Sequence, residues 1–92
     1  MADLLVQSGG QLVPLKDCFW VLTDTNGCAF GSTIGTSAVD EETAHRELTD
    51  RKRDRDRQTR QGWMVQLLTG EQWKQEAMPC FLGRCEHRKP AA

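Results

Sequence analysis

The chain has 92 residues, twelve Lys and Arg against thirteen Asp and Glu, and a formal charge of −1. That length admits one domain with one thin core, since a chain of this size buries only about 60–65% of the surface its unfolded form exposes. The near-cancelling charge excludes a globally basic nucleic-acid coat and an acidic tail, and a content of 38% hydrophobic and 27% charged residues excludes a disordered chain.

The first residues, Met1 to Gln7, carry no basic region and an apolar run of only Leu4, Leu5 and Val6. A secretory signal needs about 7–15 apolar residues and a membrane span about 20, so a reducing cytosol is the expected compartment. The four cysteines, Cys18, Cys28, Cys80 and Cys85, are then expected as thiols or metal ligands.

Leu4-Leu5-Val6 and Leu12-Val13 flank Ser8-Gly9-Gly10-Gln11, the pattern of a short hairpin, and Pro14 puts the second strand at an edge or ends it there. Cys18 to Thr23 is the strongest strand, with Phe19, Trp20 and Val21 supplying β propensity. Asp24-Thr25-Asn26-Gly27 is a hairpin turn leading to a return strand through Cys28, Ala29 and Phe30. A three-residue loop, Thr25 to Gly27, pairs Leu22 with Phe30 and collects Cys18, Trp20, Leu22, Cys28 and Phe30 on one face. A two-residue loop mixes polar and apolar residues on both faces, so the first register is preferred.

Residues 31–36 have the composition of a loop, and Ser37 offers an N-cap with Asp40 as its acidic partner. From there no Gly or Pro interrupts until Gly62, which predicts one long helix over about 38–61. Its apolar residues, Ala38, Val39, Ala44 and Leu48, all lie in the first half. Trp63 to Leu68 is a further strand. Thr69 with Gln72 forms a capping box for a short helix over about 70–78, with Pro79 ending it and an irregular tail after it. The expected fold is one α+β domain over residues 1–92: a small antiparallel sheet, one long charged helix and one short helix.

The neutral total conceals a strong division. Residues 1–45 hold six acids and one base, a net −5; residues 46–60 hold seven bases and four acids, a net +3; residues 61–92 hold four bases and three acids, a net +1. On a continuous helix, Arg46, Arg53, Arg57 and Arg60 fall in one narrow sector running roughly 21 Å. Planar guanidinium forks suit phosphate oxygens, so this face is a candidate contact for nucleic acid or for a nucleoprotein, with Arg84, Arg88 and Lys89 as additions. Salt bridges within the helix account for the same Arg-Asp alternation: Glu47–Arg51 and Asp56–Arg60 at i, i+4, and Asp50–Arg53 and Asp54–Arg57 at i, i+3.

A second constellation is Cys80-x4-Cys85-x-His87 with Cys18 and Cys28 elsewhere. Four thiolate or imidazole ligands would hold zinc, although neither cysteine pair has the common two-residue spacing, and cysteine also packs as a small hydrophobe. A small zinc-stabilised structural or regulatory module is therefore the alternative to a binding protein. No acid, base and nucleophile converge in the sequence, so an enzyme, a cofactor and a small-molecule substrate are not expected.

One small domain, a short sheet, a charge-laden helix from Arg46 to Arg60 and no catalytic set resemble the small accessory proteins of temperate bacteriophages, in particular the anti-CRISPR inhibitors of type I surveillance complexes. The likeness is one of pattern across the whole chain and brings no site residue with it. It implies a stoichiometric inhibitor in the cytoplasm of a bacterial host, docking on a complex of Cas proteins with guide RNA and blocking target DNA.

Overall fold

Two faces of one strand organise the molecule. The computed structural model describes residues 5–8 and 11–85. β1 (Leu5–Ser8) and β2 (Gln11–Pro14) form an antiparallel hairpin, paired Leu5 to Pro14 and Ser8 to Gln11, and β2 ends at its proline. A 3-10 turn, Leu15–Asp17, leads into β3 (Cys18–Thr23), the middle strand of a second, three-stranded antiparallel sheet. β4 (Ala29–Ile34) lies on one side of it and β5 (Met64–Thr69) on the other. The remaining elements are a 3-10 turn at Gly35–Ser37 and the helices α1 (Glu41–Leu48), α2 (Lys52–Arg60), α3 (Gly70–Glu76) and α4 (Met78–Phe81). The fold is α+β, as the pattern of elements predicts. Among the described residues, no helix is long and apolar enough to cross a membrane.

Because side chains alternate across a strand, β3 supplies two cores. Trp20 packs with Ala38, Ala44, Val65 and Leu67 on the side of α1. Val21 packs with Ala29, Leu68, Ala77 and Trp73 on the side of α3 and α4. Leu22 and Val21 are among the largest fully buried side chains, each worth about 1.5–3 kcal/mol relative to exposure. The indole of Trp20 donates to the carbonyls of Gly35 (3.0 Å) and Ala38 (3.2 Å), which ties the chain leaving β4 to the middle strand. Trp73 does the same on the other face: its Nε1 donates to Ser32 Oγ at 3.0 Å and its ring lies against Phe19 and Phe81.

The hairpin register differs from expectation. The three-residue loop is present: Asp24 N–H donates to the Cys28 carbonyl, and Asp24 Oδ1 accepts from the N–H groups of Asn26 and Cys28, with Gly27 at a φ of 84°. A bulge follows, so that Thr23 opposes Ala29 while Leu22 opposes Gly31. Phe30 is the extra residue. It stands 59% exposed, edge-on to Trp63, and Cys28 joins the Val21 side while Trp20 faces the other. Both faces of β3 have helices to bury against, which removes the one-face condition behind the expected register.

Three other elements depart from the sequence pattern. Residues 31–34 are strand, paired with β3 as far as Phe19 opposite Ile34. The cap of α1 is Asp40, which accepts from Thr43 N–H at 2.7 Å, while Ser37 lies in the preceding 3-10 turn and donates to the Ile34 carbonyl. Pro79 opens α4 instead of ending the helix before it, a position where its missing N–H costs nothing. The capping box of Thr69 and Gln72 is present as expected, with both of its hydrogen bonds.

Gly35 is a point of closest approach. A Cβ there would stand 2.1 Å from the Leu15 carbonyl oxygen and 3.0 Å from that of Cys18. Both are backbone atoms that no rotamer change can move. Gly35→Ala is expected to cost about 2 kcal/mol or more, and to lower Tm by roughly 8 °C or more, in thermal unfolding of the purified variant.

The Asp40 carboxylate is held below the ordinary aspartate range, first by the Thr43 N–H, then by the Thr43 hydroxyl, and further by the charge of Arg46. A depressed folded value stabilises the protein above the unfolded pKa of about 4 and is lost as pH falls through the folded value. Asp40→Asn keeps a capping oxygen without the titration. The stability difference between wild type and Asp40→Asn is therefore expected to shrink between pH 5 and pH 3 (~2 units around the carboxylate range), measured by urea unfolding.

Candidate functional site

The sequence of α2, Lys-Arg-Asp-Arg-Asp-Arg-Gln-Thr-Arg, offers nothing apolar to a core. The continuous helix expected over 38–61 accordingly does not form. Thr49 and Arg51 adopt extended backbone angles, and the chain turns between Leu48 and Lys52. A straight helix would carry its second half away from the sheet with no contact. The break folds that half back so that one residue, Gln58, becomes buried. Its Oε1 lies 2.7 Å from His45 Nε2 and accepts from Thr49 Oγ1 at 3.0 Å.

The exposed backbone at the break is also satisfied. Arg55 donates to the carbonyls of Thr49 (2.9 Å) and Asp50 (2.6 Å). At the other end Gly62, at a φ of 86°, donates to Thr59, and Trp63 N–H donates to Gln58 at 2.9 Å. These two bonds are the paired termination that a left-handed glycine permits, and they end the helix where the sequence predicted. Thr25 Oγ1 donates to the Gln61 carbonyl and ties this end to the β3–β4 turn.

The break divides the expected arginine row. Arg53, Arg57 and Arg60 remain together on α2 at i, i+4 and i+7, all exposed. Arg46 is on α1 and meets α2 across a cleft lined by His45, Lys52, Arg55 and Asp56, so it does not extend the row. Of the four expected ion pairs only Asp54–Arg57 is made, at 3.4 Å. Asp56 pairs with Lys52 at 3.0 Å, leaving Arg60. Glu47–Arg51 and Asp50–Arg53 span the break. Among the described residues, the side chains of Arg53 and Arg60 make no hydrogen bond or ion pair. Arg84 borders the groove on the α3–α4 side of the sheet, away from α1 and α2, and Arg88 and Lys89 lie outside the described residues.

The cysteines separate into one and three. Cys18 is buried on the alternation of Trp20, and its Sγ donates to the Pro14 carbonyl at 3.6 Å. Burial pushes its thiol up, and the Asp17 carboxylate adds to that. Among the described residues it joins no group of three such side chains and stands apart from the other cysteines. Cys28, Cys80 and Cys85 instead converge, their sulfurs all within 4.8 Å of one another and the Cys28 and Cys85 sulfurs 3.6 Å apart. Gly83, at a φ of 73°, reverses the chain after α4 and returns Cys85 toward Cys80. His87 lies outside the described residues.

No family model matches the chain, and no curated protein or solved structure matches it.

Gln58→Ala removes the one side chain of α2 that reaches the interior and strands the Thr49 hydroxyl and the His45 ring nitrogen. Amide exchange across residues 52–60 is expected to rise about tenfold or more while protection in β3 changes little, read by hydrogen exchange with mass spectrometry.

Proposed function

We propose that the protein is a non-enzymatic binding protein that docks on a nucleoprotein through the guanidinium face of α2. The observation that carries this reading is the row of Arg53, Arg57 and Arg60, exposed on one face of a helix whose only buried residue is Gln58. Three adjacent guanidinium groups repel one another, and only one of them has an acidic partner among the described residues. An array of phosphates supplies the missing counter-charge. Arg53 to Arg60 rises about 10 Å along the helix, comparable to three nucleotides at about 3.4 Å of duplex rise each.

The partner is mixed in charge. The acidic residues of the first half of the chain, a net −5 over residues 1–45, disfavour bare nucleic acid and favour a complex that also offers basic protein surface. On the likeness drawn from the sequence, that complex is a Cas–guide RNA assembly in the bacterial cytoplasm, and docking excludes target DNA.

The test is capture from bacterial lysate, with and without ribonuclease, by wild type and by the Arg53→Ala/Arg60→Ala double variant. Neither side chain supports the fold, so the variant is expected to keep its wild-type circular dichroism and Tm. It is expected to lose the nucleoprotein, with affinity for the isolated complex reduced about tenfold or more per arginine. Equal capture by both proteins would place the contact elsewhere.

A further inference from the structure

Cys28 leaves the β3–β4 turn, Cys80 sits in α4 and Cys85 follows the Gly83 reversal, yet the three meet at one place. They do so against the apolar face made by Val21, Ala29, Leu68 and Ala77. Packing as small hydrophobes explains the burial of each cysteine singly, but it gives no reason for three sulfurs to converge. A tetrahedral zinc centre with Zn–S bonds of about 2.3 Å sets its sulfurs about 3.8 Å apart. Cys28 and Cys85 already stand 3.6 Å apart, and the rest of the triangle lies within 4.8 Å. Side-chain adjustments of about an ångström close it around an ion of that size.

We propose that Cys28, Cys80 and Cys85 bind one zinc-class ion as thiolates. Cys28 and Cys80 are buried and close the site on the protein side, while Cys85 is half-buried. Binding replaces three S–H bonds with three S–metal bonds and releases the protons to solvent. Among the contacts the S–H groups make are long ones, Cys80 to the Glu76 carbonyl at 3.6 Å and Cys28 to that of Ala29 at 3.9 Å. Three thiolates on a divalent ion leave the centre at −1. The charged side chains lining the adjoining groove are Arg84, which offsets that charge, and Glu76, which opposes it. Soft thiolate donors select zinc, cobalt or cadmium over magnesium or calcium. The ion would join the β3–β4 turn to the segment after α4, a closure that links residues 28 and 85 across most of the chain.

The experiment is a cobalt(II) and zinc titration of reduced, chelator-treated protein, read by absorbance and by metal analysis. One ion per chain is expected, with sulfur-to-cobalt charge-transfer bands, a tetrahedral d–d envelope and a higher Tm that chelator reverses. Cys85→Ser, at the open side of the site, is expected to fold and to bind more than about 100-fold more weakly, beyond the 10–100-fold worth of an outer-shell group. Cys18→Ala is expected to bind as wild type does. A folded, reduced protein that takes up no metal overturns the proposal. So does metal uptake that Cys85→Ser leaves intact or that Cys18→Ala abolishes.

Discussion

β3 is hydrogen-bonded along both edges and buried on both faces: β4 and β5 take the edges, α1 covers one face, and α3 with α4 covers the other. In a sheet of three strands only the middle one can be so enclosed, and here it carries Trp20, Val21 and Leu22 in succession. Trp20 needs α1 and the Gly35 turn; Val21 needs α3 and α4. A small chain has little apolar surface to spare, so placing it on one strand with two covered faces uses the same six residues for two cores. The fused arrangement also explains the intolerance of Gly35. The chain must pass close beneath the Leu15 carbonyl to bring its own carbonyl to the Trp20 indole.

Local chemistry was legible in the sequence. Asp24-Thr25-Asn26-Gly27 turns the chain, Thr69 and Gln72 cap α3, Gly62 stops α2, and the apolar run after Trp63 forms β5. Each depends on residues within one turn of each other. What was not legible depends on partners far along the chain. The bulge at Phe30 follows from a helix covering each sheet face, and the strand at residues 31–34 follows from pairing with β3 in spite of its loop-like composition. The break between α1 and α2 has no glycine or proline to announce it; Gln58 reaching His45 and Thr49 decides it. The partition of the cysteines into one and three was hidden for the same reason. Alternation places Cys18 with Trp20, but only the bulge and the Gly83 reversal bring Cys28 and Cys85 to Cys80.

The two candidate sites occupy opposite sides of the sheet and use different physics. α2 is a surface of long-range charge, weakened by salt and held by hydrogen bonds at its ends and at Gln58. The cysteine cluster is a short-range arrangement in an apolar setting, where donor type and separation matter more than net charge. The Thr25 contact to Gln61 runs from the same turn that carries Cys28, and just beyond it Phe30 lies edge-on to Trp63. The turn therefore reaches both.

The single post at Gln58 has a bearing on how this surface changes over generations. A helix bound to its protein by a broad apolar stripe has its sequence constrained at three or four positions in every two turns. α2 is bound by the side chains of Gln58 and Arg55 and by backbone groups, and the backbone is indifferent to which residues carry it. Outside Gln58 and the Arg55 that serves the break, its charges can be exchanged, reversed or respaced without disturbing either core. The helix is a replaceable face on a fixed frame, and substitutions along it would leave the fold as it is.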